Sequence, residues 1–173
     1  METKKIYVLL QGYQCLFGDV YKRLKGTQYN HASLGIVDSM DEFYSFRSKW
    51  GLCIEHPFRF NKPYKKDVQC MIYEIEVTSQ QYSEIQETIQ SYLNQREHFH
   101  FSYTSLLLGF LGIRHNFKQG YTCSKFVAEV LEKSGVMSIG KHTSLCLPTD
   151  FENTLTLTHY EGLARNYKSS LDY

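Results

Sequence analysis

Residues 120–135, GYTCSKFVAEVLEKSG, form the stretch of sequence that decides the fold. Its apolar residues recur at helical spacing, which predicts a helix with one buried side. Thr122 suits the N-cap, because its hydroxyl can accept a hydrogen bond from an unpaired amide of the first turn. Gly135 suits the left-handed position that follows a helix. The predicted buried stripe consists of Cys123, Phe126, Val127, Val130, Leu131 and Ser134, with Glu129 and Lys133 paired four residues apart outside it.

Cys123 falls in the first turn of this predicted helix. A thiol there feels the positive end of the helix dipole and nearby free amides, and both favour the thiolate. That is the position a nucleophilic cysteine needs. The alternative interpretation is a buried structural cysteine, since free cysteine is among the most buried residue types.

The composition is that of an ordinary globular protein. The chain has 173 residues, 42% of them hydrophobic, and a net charge of +1. The length suits a single domain spanning residues 1–173. The near-zero net charge gives no electrostatic reason to expect nucleic acid or an anionic membrane as a partner.

The cysteines and the N-terminus predict a reduced, cytoplasmic protein. Five cysteines, an odd number without CxxC spacing, argue against a disulfide framework and against a zinc ribbon. The apolar run that ends at Leu10 is too short for a signal sequence. No apolar segment approaches the length of a membrane span.

The remaining periodicity predicts an α+β fold, with a run of strands followed by helices. Strands are expected over Lys5–Leu10, His31–Val37, Glu42–Phe46, Leu52–Glu55, Cys70–Val77 and Leu155–Tyr160, with a hairpin loop at Asp38–Asp41 and a long loop through Pro57 and Pro63. Helices are expected over Leu16–Leu24, after a capping box at Thr78 and Gln81, over Tyr103–Ile113, and in a short turn from Thr149. Because Tyr103–Ile113 is apolar nearly all round, we expect that helix to be buried against the sheet.

A cysteine nucleophile needs a base, and the base must itself be oriented. Of seven histidines, His31 stands at the start of a predicted strand, on the same face as the small residues Ser33 and Gly35. Its alternative role is that of a strand-edge histidine bonded to water or backbone. His98 and His100 have the spacing of two metal ligands on a strand, but no cysteine pair is near, so we expect solvated loop histidines and no metal.

Three segments resemble a known family. Tyr29–Ile36 (YNHASLGI), Tyr44–Phe46 (YSF) and Cys123–Val127 (CSKFV) are similar to the circularly permuted papain-like, NlpC-type fold, which includes lecithin:retinol acyltransferase and several bacterial hydrolases. In that group the histidine strand precedes the cysteine helix, as it does here. The chain also resembles an uncharacterised group of bacterial cytoplasmic proteins with the same order of motifs.

The resemblance implies roles for particular residues. Cys123 would be the nucleophile and His31 the base. The family's third residue orients the histidine from the adjacent strand, but Phe43 stands at that point and cannot hydrogen-bond. Ser45 and the carboxylate Glu55 are the candidates for this role, and a dyad without a third member is the other possibility.

The oxyanion site is a further expectation. The backbone amide of Cys123 and a polar group from Gln11 to Tyr13, at the end of the first strand, are its candidate donors.

These expectations define a thiol-dependent hydrolase that acts on an amide or peptide bond through an acyl-enzyme, without a cofactor. A small molecule or a peptide is the expected substrate. The alternatives are an acyltransferase or thioesterase acting on a lipid or thioester, which should have an apolar channel to the thiol, and a binding module in which the cysteine is no longer catalytic.

Overall fold

The computed structural model describes residues 3–36, 40–58 and 67–167. Within these ranges the protein is a mixed α+β fold, as the sequence predicts. The strands are β1 Thr3–Gly12, β2 His31–Gly35, β3 Phe43–Arg47, β4 Gly51–Glu55, β5 Gln69–Thr78, β6 His100–Phe101, β7 Gly120–Tyr121 and β8 Thr158–Leu163. The helices are α1 Leu16–Lys25, α2 Ser79–Asn94, α3 Tyr103–Phe110, α4 Cys123–Lys133 and α5 Pro148–Thr154.

Six strands form one antiparallel sheet in the order β4-β3-β2-β1-β5-β8. β1 lies inside the sheet and pairs with β2 on one side and β5 on the other, so that Gln11 stands opposite His31. The central position of β1 explains why its residues from Ile6 onward are buried. β6 and β7 form a separate, short parallel pair, and β7 directly precedes α4 in the chain.

Helix α4 lies against β2 and β3, and α2 lies beside it. The main core fills the space between the sheet and these helices; its fully buried side chains include Leu34, Phe46, Phe126 and Leu131. A smaller apolar cluster, around Leu9 and Ile72, covers the other face of the sheet. The core therefore clamps α4 onto β2, the strand that carries His31.

The caps of the two long helices confirm the sequence prediction. Thr122 accepts a hydrogen bond from the amide of Lys125, and Gly135 follows α4 with a φ of +63°. Thr78 and Gln81 form the capping box of α2. Eight of the eleven residues of α4 are buried, more than the single stripe predicted, because the 3₁₀ turn at Thr143–Leu145 packs on its other side.

Other predictions need correction. The helix expected over Tyr103–Ile113 ends at Phe110 and is not buried against the sheet: its buried residues are Ser105 and Gly109. The last strand begins at Thr158 instead of Leu155, because α5 continues to Thr154. The two-residue strands β6 and β7 were not predicted, since a pair of residues carries no periodicity.

Some predictions lie partly outside the described residues. These include Val37, the first two residues of the Asp38–Asp41 loop, and the part of the long loop around Pro63. Within residues 3–36, 40–58 and 67–167, no helix combines the length and the apolar character needed to cross a membrane.

Candidate active site

The fold brings the side chains of Cys123 and His31 together. Cys123 is the first residue of α4, and His31 is the first residue of β2. Against the opposing effect of burial, attraction and hydrogen bonding between the two side chains raise the pKa of His31 and lower that of the Cys123 thiol, and the backbone of Ala32 and Ser124 also lowers the pKa of the thiol. Both side chains are almost fully buried. The helix start thus places the thiol against a strand edge that supplies both an imidazole and an amide.

Glu55 holds the other side of the imidazole ring. Its two carboxylate oxygens lie 2.9 and 3.1 Å from His31 Nε2. Because a carboxylate can only accept, Nε2 carries the proton in this contact, which leaves Nδ1 for the thiol. Glu55 is itself buried, so the contact is shielded from water.

The structure does not bring Ser45 to the ring. The Ser45 hydroxyl is fully buried and donates to the backbone carbonyl of Ala32 at 2.7 Å. By the alternation of the paired strands, Ser33 and Ser45 share one face of the sheet with His31 and Glu55. Their small side chains leave room for Glu55 to lean across β3 toward the histidine. Ser45 therefore contributes space and a backbone bond rather than orientation of the imidazole.

The sequence did not identify Arg47 as part of this site. Its Nε lies 2.6 Å from Glu55 Oε1, and its guanidinium stacks over the ring of Tyr13 at 4.6 Å. Tyr13 in turn meets the His31 ring edge-on, with 5.4 Å between centroids. The available signal was alternation, because Arg47 lies two residues beyond Ser45 and so shares its face. We call these side chains the thiol cluster: Arg47, Glu55, His31 and Cys123. When all four are ionised, positive and negative charges alternate from one residue to the next.

The pKa shifts follow from this alternation. Burial opposes charge on all three inner groups, but their mutual attraction outweighs it. Attraction to Glu55 and Cys123 overcomes burial and raises the pKa of His31 to about 10. The same attraction lowers the pKa of the Cys123 thiol through His31, and it lowers the pKa of Glu55 through His31 and Arg47. The geometry therefore favours a thiolate–imidazolium pair at neutral pH.

Other cysteines shift in the opposite direction. Burial raises the pKa of Cys53 and of Cys70 to about 12 each, and it raises the pKa of Cys146 as well. No imidazolium faces these thiols among the contacts that set their pKa. A histidine partner, and not burial, distinguishes Cys123 from them.

An apolar cleft of about 450 Å³ opens onto the thiol. Its lining surface is mostly apolar, and Arg47 and Lys49 are among the residues that line it. The residues that line the cleft include Phe17, Tyr21, Trp50, Tyr103, Leu106 and Cys123. The cleft is large enough for a small ligand that reaches the sulfur.

Gln11 is the polar residue that β1 places beside the histidine. It pairs directly with His31 across the strands and is fully buried. Its Oε1 accepts a hydrogen bond from the Tyr13 hydroxyl at 2.7 Å, while its Nε2 has no partner among the described residues. A buried amide N–H₂ without a partner is costly, so it is available to a negative oxygen that forms nearby. The amide of Cys123, at the start of α4, has no acceptor within the helix.

His98 and His100 are not brought to this site. His98 is exposed, near Glu97, and His100 is exposed on β6. Among the described residues, no group of three or more histidines, cysteines or acidic residues could hold a metal ion.

Comparisons of the chain with family models, with curated proteins and with solved structures gave no match. The assignment of the site therefore rests on its geometry and chemistry.

Proposed function

We propose that the protein is a thiol-dependent hydrolase that cleaves an amide bond, including a peptide bond, through an acyl-enzyme on Cys123. The observation that carries the proposal is the series of polar groups from Arg47 through Glu55 and His31 to Cys123, whose three inner members are buried. It supplies an ionised nucleophile and an oriented proton carrier on the wall of a cleft. The order of a histidine strand before a cysteine helix also suits a permuted papain-like fold.

In the first half-reaction, the Cys123 thiolate attacks the carbonyl carbon and a C–S bond forms. Negative charge on the carbonyl oxygen is stabilised by the amide of Cys123 and by Gln11 Nε2. The His31 imidazolium gives its Nδ1 proton to the leaving nitrogen as the C–N bond breaks. The amine departs and an acyl-enzyme remains.

In the second half-reaction, neutral His31 takes a proton from water, and the resulting hydroxide attacks the acyl carbon. The C–S bond breaks, and the acid product and the thiolate–imidazolium pair are restored. Glu55 keeps Nε2 protonated throughout, so that Nδ1 is the nitrogen that exchanges protons. Glu55 is thus a positioning residue that acts through His31.

Acyl transfer from an ester or thioester is the second candidate, and the apolar lining of the cleft favours it. Such walls suit an acyl chain better than a polar peptide. In this version an alcohol or amine replaces water in the second half-reaction, while the roles of Cys123 and His31 are the same.

The test is to trap the acyl-enzyme. The protein is mixed with p-nitrophenyl acetate, or with an acetylated anilide, and quenched in acid for peptide mass mapping. We expect one acetyl group on Cys123, a burst of one nitrophenolate per chain, and no acetyl on Cys53 or Cys70. Cys123→Ala is the matched control and should show no burst.

The fate of the acetyl group separates the candidate functions. Release into water supports the hydrolase, and release only upon addition of an amine or alcohol supports the transferase. The absence of both a nitrophenolate burst and an acetylated Cys123 at every quench time, with both compounds, would contradict both functions and would favour a binding module.

A further inference from the structure

Helix α1 turns its apolar side chains toward solvent. Leu16, Val20 and Leu24 recur every four residues along one stripe, and Leu16 is 87% exposed. The buried residues of this helix are Gly18 and Tyr21. A Cβ at Gly18 would collide with the Asn30 side chain, so the small side of the helix is the side in contact with the protein. This is the reverse of the usual orientation of an amphipathic surface helix.

Helix α3 shows the same inversion. Tyr103, Leu107 and Leu111 repeat at the same spacing and are exposed, with Tyr103 at 68%. Ser105 and Gly109 face inward, and a Cβ at Gly109 would lie 3.0 Å from the Ser144 carbonyl oxygen. Two neighbouring helices thus expose the residues that a globular protein ordinarily buries.

The two helices are in contact and together border the cleft. The rings of Tyr21 and Phe110 are 6.2 Å apart, and Lys25 Nζ lies 5.0 Å from the centroid of Phe110. Both helices contribute lining residues to the cleft that leads to Cys123, and Trp50, 61% exposed, lies on the cleft as well. We call the exposed apolar residues of this surface the apolar rim: Leu16, Phe17, Val20, Leu24, Trp50, Tyr103, Leu107 and Leu111.

The segments that carry the rim contain more basic than acidic residues. Residues 11–36, 43–50 and 98–128 contain eight basic residues and one acidic residue, Asp19. Asp19 is paired with Lys22 at 2.9 Å. The other 17 acidic residues of the chain stand outside these segments, against 11 basic ones. Five basic residues of these segments are exposed: Arg23, Lys25, Lys49, Arg114 and Lys118. Lys125 is buried and Arg47 pairs with Glu55, so neither adds to the exposed charge.

We propose that the apolar rim docks on a lipid bilayer with anionic headgroups. Apolar and aromatic side chains flanked by lysine and arginine are the combination that holds proteins in the interfacial layer of a membrane. Each basic residue near an anionic bilayer strengthens binding by electrostatic attraction, whereas it would add no such attraction to a neutral surface. When the apolar rim lies on the bilayer, the opening of the cleft faces the membrane.

The test measures vesicle binding with Cys123→Ala, so that turnover plays no part. Vesicles of equal phosphatidylglycerol and phosphatidylcholine are compared with phosphatidylcholine alone by sedimentation. We expect binding to the mixed vesicles, at least tenfold weaker binding to phosphatidylcholine alone, and loss of that preference when salt is raised to about 1 M, where the Debye length is about 3 Å.

Two variants separate the apolar and the charged contributions. Leu24→Ser with Leu107→Ser removes one exposed leucine from each helix and should weaken binding roughly tenfold or more. Arg23→Gln with Lys25→Gln should weaken binding to the mixed vesicles about fivefold per residue. Leu157→Ser and Arg96→Gln are the matched controls, since both residues are exposed but lie outside the basic segments, and neither should change binding.

Three results would overturn the proposal: no binding to mixed vesicles at low salt, equal binding by the leucine variant, or a concentration-dependent dimer without lipid that the leucine variant abolishes. The last would make the rim a contact between two copies of the chain. Failure here leaves the acyl-enzyme experiment unaffected. Conversely, vesicle binding by a protein that forms no acyl-enzyme would uphold the docking surface and contradict the proposed function.

Discussion

Helix α4 carries two buried polar clusters with opposite properties. The thiol cluster lies at its N-terminus. Its middle and C-terminal turns bear a second cluster, here called the tyrosine cluster, in which the hydroxyls of Tyr92 and Tyr121 donate to Glu129 Oε2 at 2.7 and 3.0 Å. Lys133 completes it, with Nζ 2.9 Å from the Tyr92 hydroxyl. Both clusters hold one carboxylate among donors, and both border a cavity of similar volume, about 450 and 480 Å³.

The two clusters differ in the direction in which the pKa of their buried acidic group is shifted. In the tyrosine cluster, burial and the nearby Glu129 both raise the pKa of Tyr92, and burial raises that of Tyr121, so the phenols stay neutral. In the thiol cluster, a cation stands between two anions, and the pKa of Cys123 falls despite burial. Burial and a neighbouring anion together keep the phenols protonated, whereas a neighbouring cation favours deprotonation of the buried thiol. The tyrosine cluster fastens α2 to α4, and the thiol cluster is the chemically active one.

The largest expected effect comes from His31→Ala. Without the imidazolium, burial and the absence of a counter-ion raise the pKa of the Cys123 thiol, so its thiolate fraction falls. We expect alkylation of Cys123 by iodoacetamide to slow about a hundredfold at pH 6, given a free-thiol pKa of about 8.5. Peptide mass mapping measures the rate at each cysteine.

The matched change in the tyrosine cluster is Tyr121→Phe, which should leave that rate unaltered. A Cys123 that labels equally fast with and without His31, or no faster than Cys53 between pH 5 and 9, would remove the distinction between the clusters.

Glu55→Gln is expected to have the next largest effect. The amide keeps the size of the side chain but loses the charge that stabilises the imidazolium, a contribution on the order of 1–3 kcal/mol. Alkylation of Cys123 at neutral pH should slow about tenfold. Ser45→Ala is the control, because its hydroxyl bonds to the Ala32 carbonyl and not to the ring. A slow Ser45→Ala beside a normal Glu55→Gln would reverse the assignment, and no effect of either would indicate a dyad.

The sequence predicts most of this arrangement where a pattern repeats over enough residues. The cap at Thr122, the stripe of α4 and the strand of His31 all follow from periodicity. The choice between Glu55 and Ser45 does not, because a shift of one residue in the register of β3 turns its side chains to the other face. Arg47 was missed for the same reason.

The orientation of α1 and α3 could not be predicted from periodicity. A stripe such as Leu16, Val20 and Leu24 gives the side of the helix that is apolar, but not whether that side meets the core or the solvent. The deciding residues are small ones, Gly18 and Gly109, which permit close contact on the opposite side. Likewise, a net charge summed over the chain cannot show that acidic and basic residues occupy different segments.

Tyr92→Phe tests whether the tyrosine cluster stabilises the fold. The change removes a donor to Glu129 and an acceptor from Lys133 while keeping the ring among Phe99, Tyr121 and Phe126. We expect the free energy of unfolding to fall by about 1 kcal/mol in urea titrations, with no change in Cys123 alkylation. Slower alkylation in this variant, at unchanged stability, would show that the two clusters are coupled through α4.

The smallest expected effect, and the finest probe of alternating charge, is Arg47→Gln. Arg47 lies farthest from the sulfur, and its side chain is 29% exposed, so solvent and salt screen its influence. The guanidinium lowers the pKa of Glu55, and its loss should raise that pKa toward the ordinary value near 4.3.

Glu55 supports the imidazolium only while Glu55 is ionised. As pH falls, the variant should therefore lose rapid Cys123 alkylation at a higher pH than the wild type does, with a rate about threefold lower near pH 4 and little change at pH 8. Arg47→Lys keeps the charge but not the planar stacking on Tyr13, so it separates charge from packing. If the acid side of the pH–rate profile shifts equally in both variants, the effect is one of packing. If it does not shift in Arg47→Gln, the charge of Arg47 has no influence on Cys123 through Glu55.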